Sequence, residues 1–240
     1  MKYVGIVQSN YIPWKGYFDL VNSVDEFILY DDAQYTKRDW RNRNIIKTPA
    51  GPRWLTIPVD VKGKFLQKVK EAKLADPRWG ETHWKTIVAS YAKAPHFRTY
   101  APLFQPIYND KGFQTLSEVN HRFILAINEA LGIKTRITWS MDYDYTGEDA
   151  SEKLVSLCLK AGATHYLSGP AAKDYLKTEL FEAESIPVVF FNYGNYPPYR
   201  QLWPPFDHAV TILDLIFSEG PDAPKYMNSF SSAVVPNPGA

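Results

Sequence analysis

The sequence predicts an α/β fold: a mostly parallel sheet with helices on both faces, a nucleotide-binding-like core and a helical middle segment. Two observations support it. Short apolar, β-branched runs alternate with amphipathic segments, and 240 residues are enough to bury one sizeable core. We expect one α/β domain over residues 1–222, with a helical insertion at about 76–131, followed by a flexible tail at 223–240.

The first part of the chain reads as a βαβ-like unit followed by a basic loop and a third strand. Apolar or β-branched runs predict the strands at 3–7, 24–30 and 54–59, with a connecting helix at 18–23 and a loop at 37–47. Residues 62–74 alternate charged and apolar side chains, which fits either an extended hairpin arm or a solvated strand.

The middle segment has helical periodicity. A helix is predicted from Trp79 until Pro95 stops it, and Phe97–Tyr108 is predicted as a second helix interrupted by prolines. The strongest amphipathic pattern covers 116–131, with Thr115 or Ser117 as the N-cap. The alternation then resumes, with strands predicted at 133–139, 164–167 and 188–191 and helices at 151–161, 175–181 and 210–217.

Composition limits the possible partners and compartment. The chain has 27 basic and 26 acidic residues, which argues against nucleic acid and against a strongly anionic partner unless the site is local. Cys158 is the only cysteine, so neither a disulfide framework nor a zinc cluster is expected. No apolar run approaches the length of a membrane span, so we expect no membrane insertion and a cytoplasmic protein.

Polar side chains follow the first two predicted strands. Gln8, Asn10 and Tyr11 leave the first strand together and suit a neutral polar ligand such as a sugar, or they cap the turn. Asp31 and Asp32 end the second strand and could bind a divalent ion, orient a ribose hydroxyl or act as a base. Because neighbouring strand residues face opposite ways, we expect one of the two to reach the site.

A basic segment follows these strand ends, with five cations interleaved with polar and aromatic residues. They are Lys37, Arg38, Arg41, Arg43 and Lys47, with Trp40, Asn42 and Asn44 among them. This density suits a phosphate or diphosphate, with Trp40 stacking on a base, or else a solvated loop paired with nearby aspartates.

One further signal lies later in the chain, where Ser168 and Gly169 stand between a predicted strand and a helix. They could present a hydroxyl and backbone N–H groups to an anion, or form a plain N-cap. No common nucleotide-binding, hydrolase or zinc motif is present, and the five histidines are scattered.

The N-terminal motif resembles the WbqC-like family of bacterial O-antigen and surface-glycan biosynthesis. The residues that carry the likeness are Gln8, Tyr11, Pro13, Trp14, Gly16, Tyr17, Phe18, Asp31, Asp32, Gln34, Tyr35, Trp40, Asn42, Arg43 and Asn44. Later segments such as WLTIPV and GATHYLSGPAAKDYL extend the resemblance over most of residues 3–220. Val7 and Ser9 stand where the family pattern has His and Pro, so a His base is not carried over to this chain.

The resemblance implies an enzyme of surface-polysaccharide biosynthesis that acts on a nucleotide-linked amino or deoxy sugar. We predict a transferase of acyl or aminoacyl groups; the alternatives are a nucleotidyltransferase-like enzyme and a non-catalytic glycan- or nucleic-acid-binding module. No metal site is predicted, and neither a cofactor nor an oligomeric state can be assigned. The predicted catalytic residues are Asp32, Gln8 and Asp31, and the predicted substrate-binding residues are Asn10, Tyr11, Trp14, Tyr17, Tyr35, Lys37, Arg38, Trp40, Asn42, Arg43, Asn44, Ser168 and Gly169.

Overall fold

A computed structural model describes residues 1–231. The strands are β1 (Tyr3–Val7), β2 (Glu26–Leu29), β3 (Arg43–Thr48), β4 (Gly51–Thr56), β5 (Arg136–Trp139), β6 (His165–Ser168) and β7 (Val188–Phe190). The α-helices are α1 (Lys15–Asn22), α2 (Trp79–Tyr91), α3 (Phe97–Asn109), α4 (Leu116–Leu131), α5 (Ala150–Lys160), α6 (Thr178–Ala183) and α7 (Ile212–Glu219).

Five parallel strands form the main sheet, in the order β5-β2-β1-β6-β7. The strands β2 and β5 therefore lie on one side of β1, and the later strands β6 and β7 lie on its other side. In doubly wound α/β folds, ligands bind outside the carboxyl ends of the strands at the point where the strand order reverses. The segments that follow β1 and β6 are thus the expected location of a ligand.

Helices cover both faces of the sheet, as the sequence predicts. Phe27 and Leu29 of β2 point into a large core shared with α1, α2, α3, α4 and α7. Ile28 points into a second core on the opposite face, which it shares with α5 and α6. Alternate residues of a buried strand thus serve two separate cores, because successive side chains of a strand face opposite ways.

The middle segment is helical as predicted, and its helices are more continuous than the sequence suggests. Pro102 and Pro106 lie inside α3 without ending it. Both prolines are exposed, so water can reach the carbonyl groups that lose their partners. Thr115 is the N-cap of α4, where its hydroxyl accepts a hydrogen bond from the Glu118 N–H and the Glu118 carboxylate accepts one from the Thr115 N–H.

The predicted loop at 37–47 is wrong in its second half. Residues from Arg43 onward form β3, which pairs antiparallel with β4 in a separate two-stranded sheet. Asn44 and Ile46 point inward and are buried, so the alternation is present, but an asparagine occupies an inward position where an apolar residue is expected. Residues 62–74 are mostly irregular, with one short 3₁₀ helix at Val69–Glu71.

The beginning of the predicted tail is packed against the domain. Gly220–Tyr226 and Asn228–Phe230 form short 3₁₀ helices, and Met227 is buried. Asp19 of α1 accepts hydrogen bonds from the backbone N–H groups of Asn228 and Ser229, at 3.0 and 2.9 Å. The rest of that tail, residues 232–240, lies outside the described residues. None of the helices within residues 1–231 has the length and apolar content that a bilayer span requires.

Candidate functional site

The carboxyl ends of the sheet strands bring the predicted site segments to one edge. Gln8 follows β1, Asp31 and Asp32 follow β2, and Ser168 ends β6 beside β1. The Gln8 backbone carbonyl accepts a hydrogen bond from the Tyr17 hydroxyl at 3.2 Å. These predicted site segments therefore lie at one edge of the sheet, but their side chains make contacts that differ from the predicted roles.

Asp31 is a buried structural carboxylate. It accepts hydrogen bonds from the Ser9 N–H and hydroxyl, both at 2.8 Å, and from the Ser117 hydroxyl at 2.5 Å. Burial raises the pKa of Asp31, and the bonds from Ser117 and Ser9 oppose that rise. Because the residue is 0% exposed, its carboxylate cannot contact a substrate, and the predicted catalytic role of Asp31 does not fit this geometry.

Asp32 forms ion pairs with two lysines and is not free to act as a base. Lys70 Nζ lies 2.6 Å and Lys68 Nζ 3.4 Å from the same Asp32 oxygen, and the Ser140 hydroxyl donates to the other oxygen at 2.9 Å. Partial burial raises the pKa of Asp32, but the bonds from Lys70 and Ser140 outweigh it and the net pKa is lowered. A lowered pKa makes a weak base, which argues against general-base catalysis by Asp32.

Arg41 is the cation that reaches the sheet edge. Its guanidinium donates to the Asn10 side-chain carbonyl and lies 3.8 Å from the Asp39 carboxylate. Its Nε is buried and has no hydrogen-bond partner among residues 1–231. Burial lowers the pKa of Arg41, while Asp39, Tyr17 and Asp31 are close enough to raise it. An incompletely satisfied, buried guanidinium at a strand edge is a suitable anion-binding group.

Two polar side chains of helix α4 form hydrogen bonds to this edge of the sheet. Asn120 is fully buried, and its side-chain amide donates to the Ser9 hydroxyl at 3.1 Å and to the Arg41 carbonyl at 2.9 Å. Ser117, one turn earlier, bonds Asp31. The polar positions within the apolar face of α4 thus fix both the first turn after β1 and the backbone of Arg41.

A cavity of about 270 Å³ adjoins Arg41 through their shared neighbour Asn10. Its lining combines two indole rings, two amides and an imidazole: Asn10, Pro13, Trp14, Trp40, Asn44, His208 and Ala209. Aromatic faces with a few polar groups are typical of small-molecule sites, and the volume is at the lower end for such pockets.

The turn that forms one wall of the cavity is backbone-strained and held in place by Asn44. Ile12 has φ of 36°, an unfavourable value for a β-branched residue. The Asn44 side-chain amide donates to the carbonyls of Tyr11 and Ile12, at 3.1 and 3.0 Å. Asn44 therefore acts on the cavity both as a lining residue and as the support of this turn.

His208 reaches the cavity from a distant part of the chain. Two backbone hydrogen bonds of 2.9 Å secure the following segment, from Thr211 N–H to the Ile45 carbonyl and from Ile212 N–H to the Pro13 carbonyl. Burial and the nearby Lys15 lower the pKa of His208. At neutral pH the imidazole is thus uncharged and can accept a proton.

Lys15 places a buried amine close to His208. It is 3% exposed, its Nζ donates to the Pro197 carbonyl at 3.3 Å, and the same atom lies 4.8 Å from the centroid of the Tyr196 ring. Burial lowers the pKa of Lys15 to about 8, against an opposing effect of Asp19. The tyrosine face and the carbonyl partly replace its hydration.

Tyr193 links the cavity to the end of β6. Its ring packs on Trp14, with 5.4 Å between centroids, and its hydroxyl lies 3.7 Å from the position that a Cβ would occupy on Gly169. Ser168 is buried and its hydroxyl donates to the Tyr166 hydroxyl at 3.3 Å. The helix expected after Gly169 is a five-residue 3₁₀ turn, Pro170–Asp174.

Several predicted substrate-binding residues have structural contacts instead. Tyr11 is fully buried, and its hydroxyl bonds His83 Nδ1 at 2.9 Å. Asn42 donates to a backbone carbonyl, and Tyr35 is buried, which raises its pKa to about 12. Arg43 stacks over the Trp54 ring at 4.1 Å. Of the predicted substrate-binding residues, four line the cavity: Asn10, Trp14, Trp40 and Asn44. Five others lie outside its lining: Tyr11, Tyr17, Tyr35, Asn42 and Arg43. Lys37 and Arg38 are exposed to solvent.

The predicted site residues do not include Arg41, which bonds Asn10, or the lining residues Pro13, His208 and Ala209. Arg41 was one of five cations in the basic segment, and nothing local distinguishes it from Arg43. His208 follows a proline- and tyrosine-rich stretch with no motif that indicates a site. No group of three His, Cys, Asp or Glu side chains within residues 1–231 is arranged to hold a metal ion.

Comparison with known proteins gives a family and one close relative. The sequence pattern of the WbqC-like protein family matches residues 8–226. The chain is also 49% identical over 227 residues to a Mycobacterium tuberculosis protein with the name Uncharacterized protein Rv1507c, covering 95% of this chain and 98% of that protein. No solved structure matches the chain.

Proposed function

Because this chain belongs to the WbqC-like protein family, we propose that it is an enzyme of bacterial surface-glycan biosynthesis that binds a nucleotide-linked sugar. The observation that carries the proposal is the continuity of an aromatic and amide-lined cavity with Arg41 at the strand-order reversal. The sugar would occupy the cavity, and the diphosphate would lie toward Arg41.

The cavity lining suits a sugar ring. Trp14 and Trp40 offer flat apolar faces for the C–H face of a pyranose, and Asn10 can pair with hydroxyl or acetamido groups. The remaining lining is mainly apolar, which favours a deoxy sugar over a fully hydroxylated one.

The diphosphate position is supported by the charge distribution at the sheet edge. Arg41 is partly buried, its Nε has no hydrogen-bond partner within the described residues, and it lies beside the first turn after β1. A guanidinium in this setting can form two parallel hydrogen bonds with phosphate oxygens. Gly169 has no side chain to obstruct a phosphate on the β6 side of the reversal.

Transfer of an acyl group to the sugar is the reaction we favour. The sugar hydroxyl or amine would attack the carbonyl carbon of an activated acyl donor such as a thioester, and His208 would accept the proton that the nucleophile loses. The new C–O or C–N bond replaces the C–S bond, and the donor leaves as a thiolate. His208 is the favoured base because its imidazole lines the cavity and is uncharged at neutral pH, whereas Asp31 is buried and Asp32 is ion-paired.

Calorimetric titration with UDP-, dTDP- and GDP-sugars tests the binding step, with free nucleoside diphosphates and free sugars as comparisons. We expect at least one nucleotide sugar to saturate the protein at or below millimolar concentration and to bind more tightly than either half alone. Absence of binding to all of them by folded protein, verified by circular dichroism, contradicts the proposal.

A nucleotidyltransferase is the second candidate, because the strand order around β1 and β6 is that of nucleotide-binding folds. Such an enzyme joins a nucleoside triphosphate to a sugar phosphate and releases pyrophosphate. Release of pyrophosphate from mixtures of nucleoside triphosphates and sugar 1-phosphates would favour this candidate, and its absence would favour group transfer.

A further inference from the structure

Two large apolar side chains project side by side from the irregular segment 62–68. Phe65 is 78% exposed and Leu66 is 77% exposed, and both lie between β4 and α2 in the chain. Single exposed apolar residues are common, but an adjacent pair this fully exposed is unfavourable in water and indicates a surface with a partner.

The backbone of this loop is fixed, so the pair cannot fold back onto the domain without breaking its hydrogen bonds. The Gln34 side-chain amide donates to the Phe65 carbonyl at 2.9 Å, and the Tyr35 N–H donates to the Gln67 carbonyl at 2.9 Å. Val69, just after the loop, is fully buried and anchors its end. The loop therefore presents Phe65 and Leu66 as a rigid tip.

Positive charge surrounds this tip. Residues 62–74 contain five lysines and one glutamate, a net charge of +4, which the contacting carboxylates of Asp60 and Asp32 reduce to +2. Lys37 and Lys64 border the same hollow as Phe65. Lys64 pairs with Asp60 at 2.6 Å, but this ion pair is exposed and weak, and Lys62 has no ion pair within the described residues.

We propose that this loop docks the protein on an anionic phospholipid bilayer, with Phe65 and Leu66 entering the headgroup region and Lys37, Lys62 and Lys64 facing lipid phosphates. An apolar tip within a ring of cations combines the two interactions that peripheral membrane binding uses. A second copy is a poor partner, because two positively charged loops would face each other in a symmetric contact. Single-stranded nucleic acid is also a poor fit, because the tip offers one aromatic ring and successive bases need several to stack on.

Docking would bring the candidate site close to the membrane. Lys68 and Lys70 of the loop segment both reach Asp32, which follows β2 at the carboxyl edge of the sheet. The loop and this edge are therefore neighbours on the molecule. The docking proposal stands independently of the sugar-binding proposal, since it rests on the loop alone.

Vesicle co-sedimentation of the full-length protein tests it, with vesicles of phosphatidylcholine alone and of phosphatidylcholine mixed equally with phosphatidylglycerol. We expect binding to the anionic vesicles only, weakened by salt. Phe65→Ser combined with Leu66→Ser should reduce the partition coefficient by about tenfold or more, and Lys62→Gln by about fivefold. Tyr175→Ser, at a 63% exposed residue outside the loop, is the matched control and should leave binding unchanged.

A fluorescent probe locates the contact. Cys158 is buried, so Leu66→Cys creates the one accessible thiol in the described part of the chain for a polarity-sensitive dye. We expect a blue shift at position 66 with anionic vesicles and none for Leu159→Cys on α5. Absence of vesicle binding, binding unaffected by the double serine variant, or a dimer in sedimentation that needs Phe65 and Leu66 would each overturn the proposal.

Discussion

Arg41 is the residue whose replacement should weaken anion binding most. It combines a buried guanidinium, an unpaired Nε within residues 1–231 and a bond to Asn10 of the cavity. Arg41→Gln removes the charge and ends the side chain near the position of Nε, so the bond to Asn10 is lost with the charge. Comparison with Arg41→Lys, which keeps the charge, separates the two contributions.

The magnitude follows from the bonds that an arginine can offer here. Loss of a hydrogen bond to a charged group costs about 1.5–3 kcal/mol. At about 1.4 kcal/mol for each tenfold change in affinity, that is roughly a tenfold to hundredfold increase in Kd. Arg41→Lys keeps the charge but loses the planar fork, so its affinity should lie between those of the wild type and Arg41→Gln.

Calorimetry with inorganic pyrophosphate and with the best-binding nucleotide sugar measures the effect. Arg43→Gln is the matched control, because Arg43 stacks on Trp54 and its guanidinium bonds the Arg38 carbonyl. We expect Arg43→Gln to change either Kd by less than about threefold, because Arg43 does not line the cavity and its guanidinium bonds the Arg38 carbonyl instead of Asn10. Urea unfolding of each variant shows whether the fold is retained.

Two results would refute this reasoning. Equal Kd values for wild type and Arg41→Gln, in a variant that unfolds at the wild-type urea concentration, would remove Arg41 from the site. A larger loss with Arg43→Gln than with Arg41→Gln would move the anion site to the outer end of the β3–β4 sheet.

Three further predictions concern the support of the site and the fold. Asn44→Ala should destabilise the domain by about 1–3 kcal/mol and loosen the cavity wall, because two turn carbonyls lose their donor; urea unfolding and sugar titration measure the two effects. His83 is buried with its pKa lowered to about 4, so unfolding free energy should fall as pH drops from about 6.5 toward 4, by up to about 3 kcal/mol, and His83→Gln should flatten that slope. Asp19→Ala should release residues 228–229, making the preceding Lys225 an early site of trypsin cleavage, whereas wild type should resist.

The direction of the His83 effect follows from its two pKa values. The unfolded histidine binds a proton near pH 6.5, whereas the folded one, desolvated between the Tyr11 hydroxyl and the Thr56 carbonyl, does so only near pH 4. Between these values the unfolded state holds more protons, so acid favours it. An unfolding free energy that stays constant across this window would show that the pKa of His83 is not lowered in the folded protein.

Elements with strong local signals were predictable from the sequence. The threonine, the glutamate three residues later and the terminal glycine define α4 from Thr115 to Gly132 without reference to the rest of the chain. The strand β1 is likewise an uninterrupted apolar run. β3 was missed because its inward side chains include Asn44, whose burial is stabilised by hydrogen bonds to the distant 11–12 turn, so no periodicity in apolar residues indicates a strand.

The roles of the side chains at this sheet edge could not be predicted from the sequence alone. A pair of aspartates at a strand end fits both catalysis and structure, and only coordinates reveal that Ser9 and Ser117 enclose Asp31. The choice between Arg41 and Arg43 depends on the start of β3: Arg43 is its first residue, whereas Arg41 precedes it and can turn back toward Asn10.

His208 illustrates a cavity residue whose position cannot be predicted from the sequence around it. Its position at the cavity depends on the backbone bonds of Thr211 and Ile212 to segments more than 150 residues earlier in the chain. Such pairings have no motif, because the donors and acceptors are backbone groups that every residue type supplies. A cavity residue contributed by a proline-rich connection can therefore be recognised only once the segment after it is known to pair with the turn at Pro13 and the strand at Ile45.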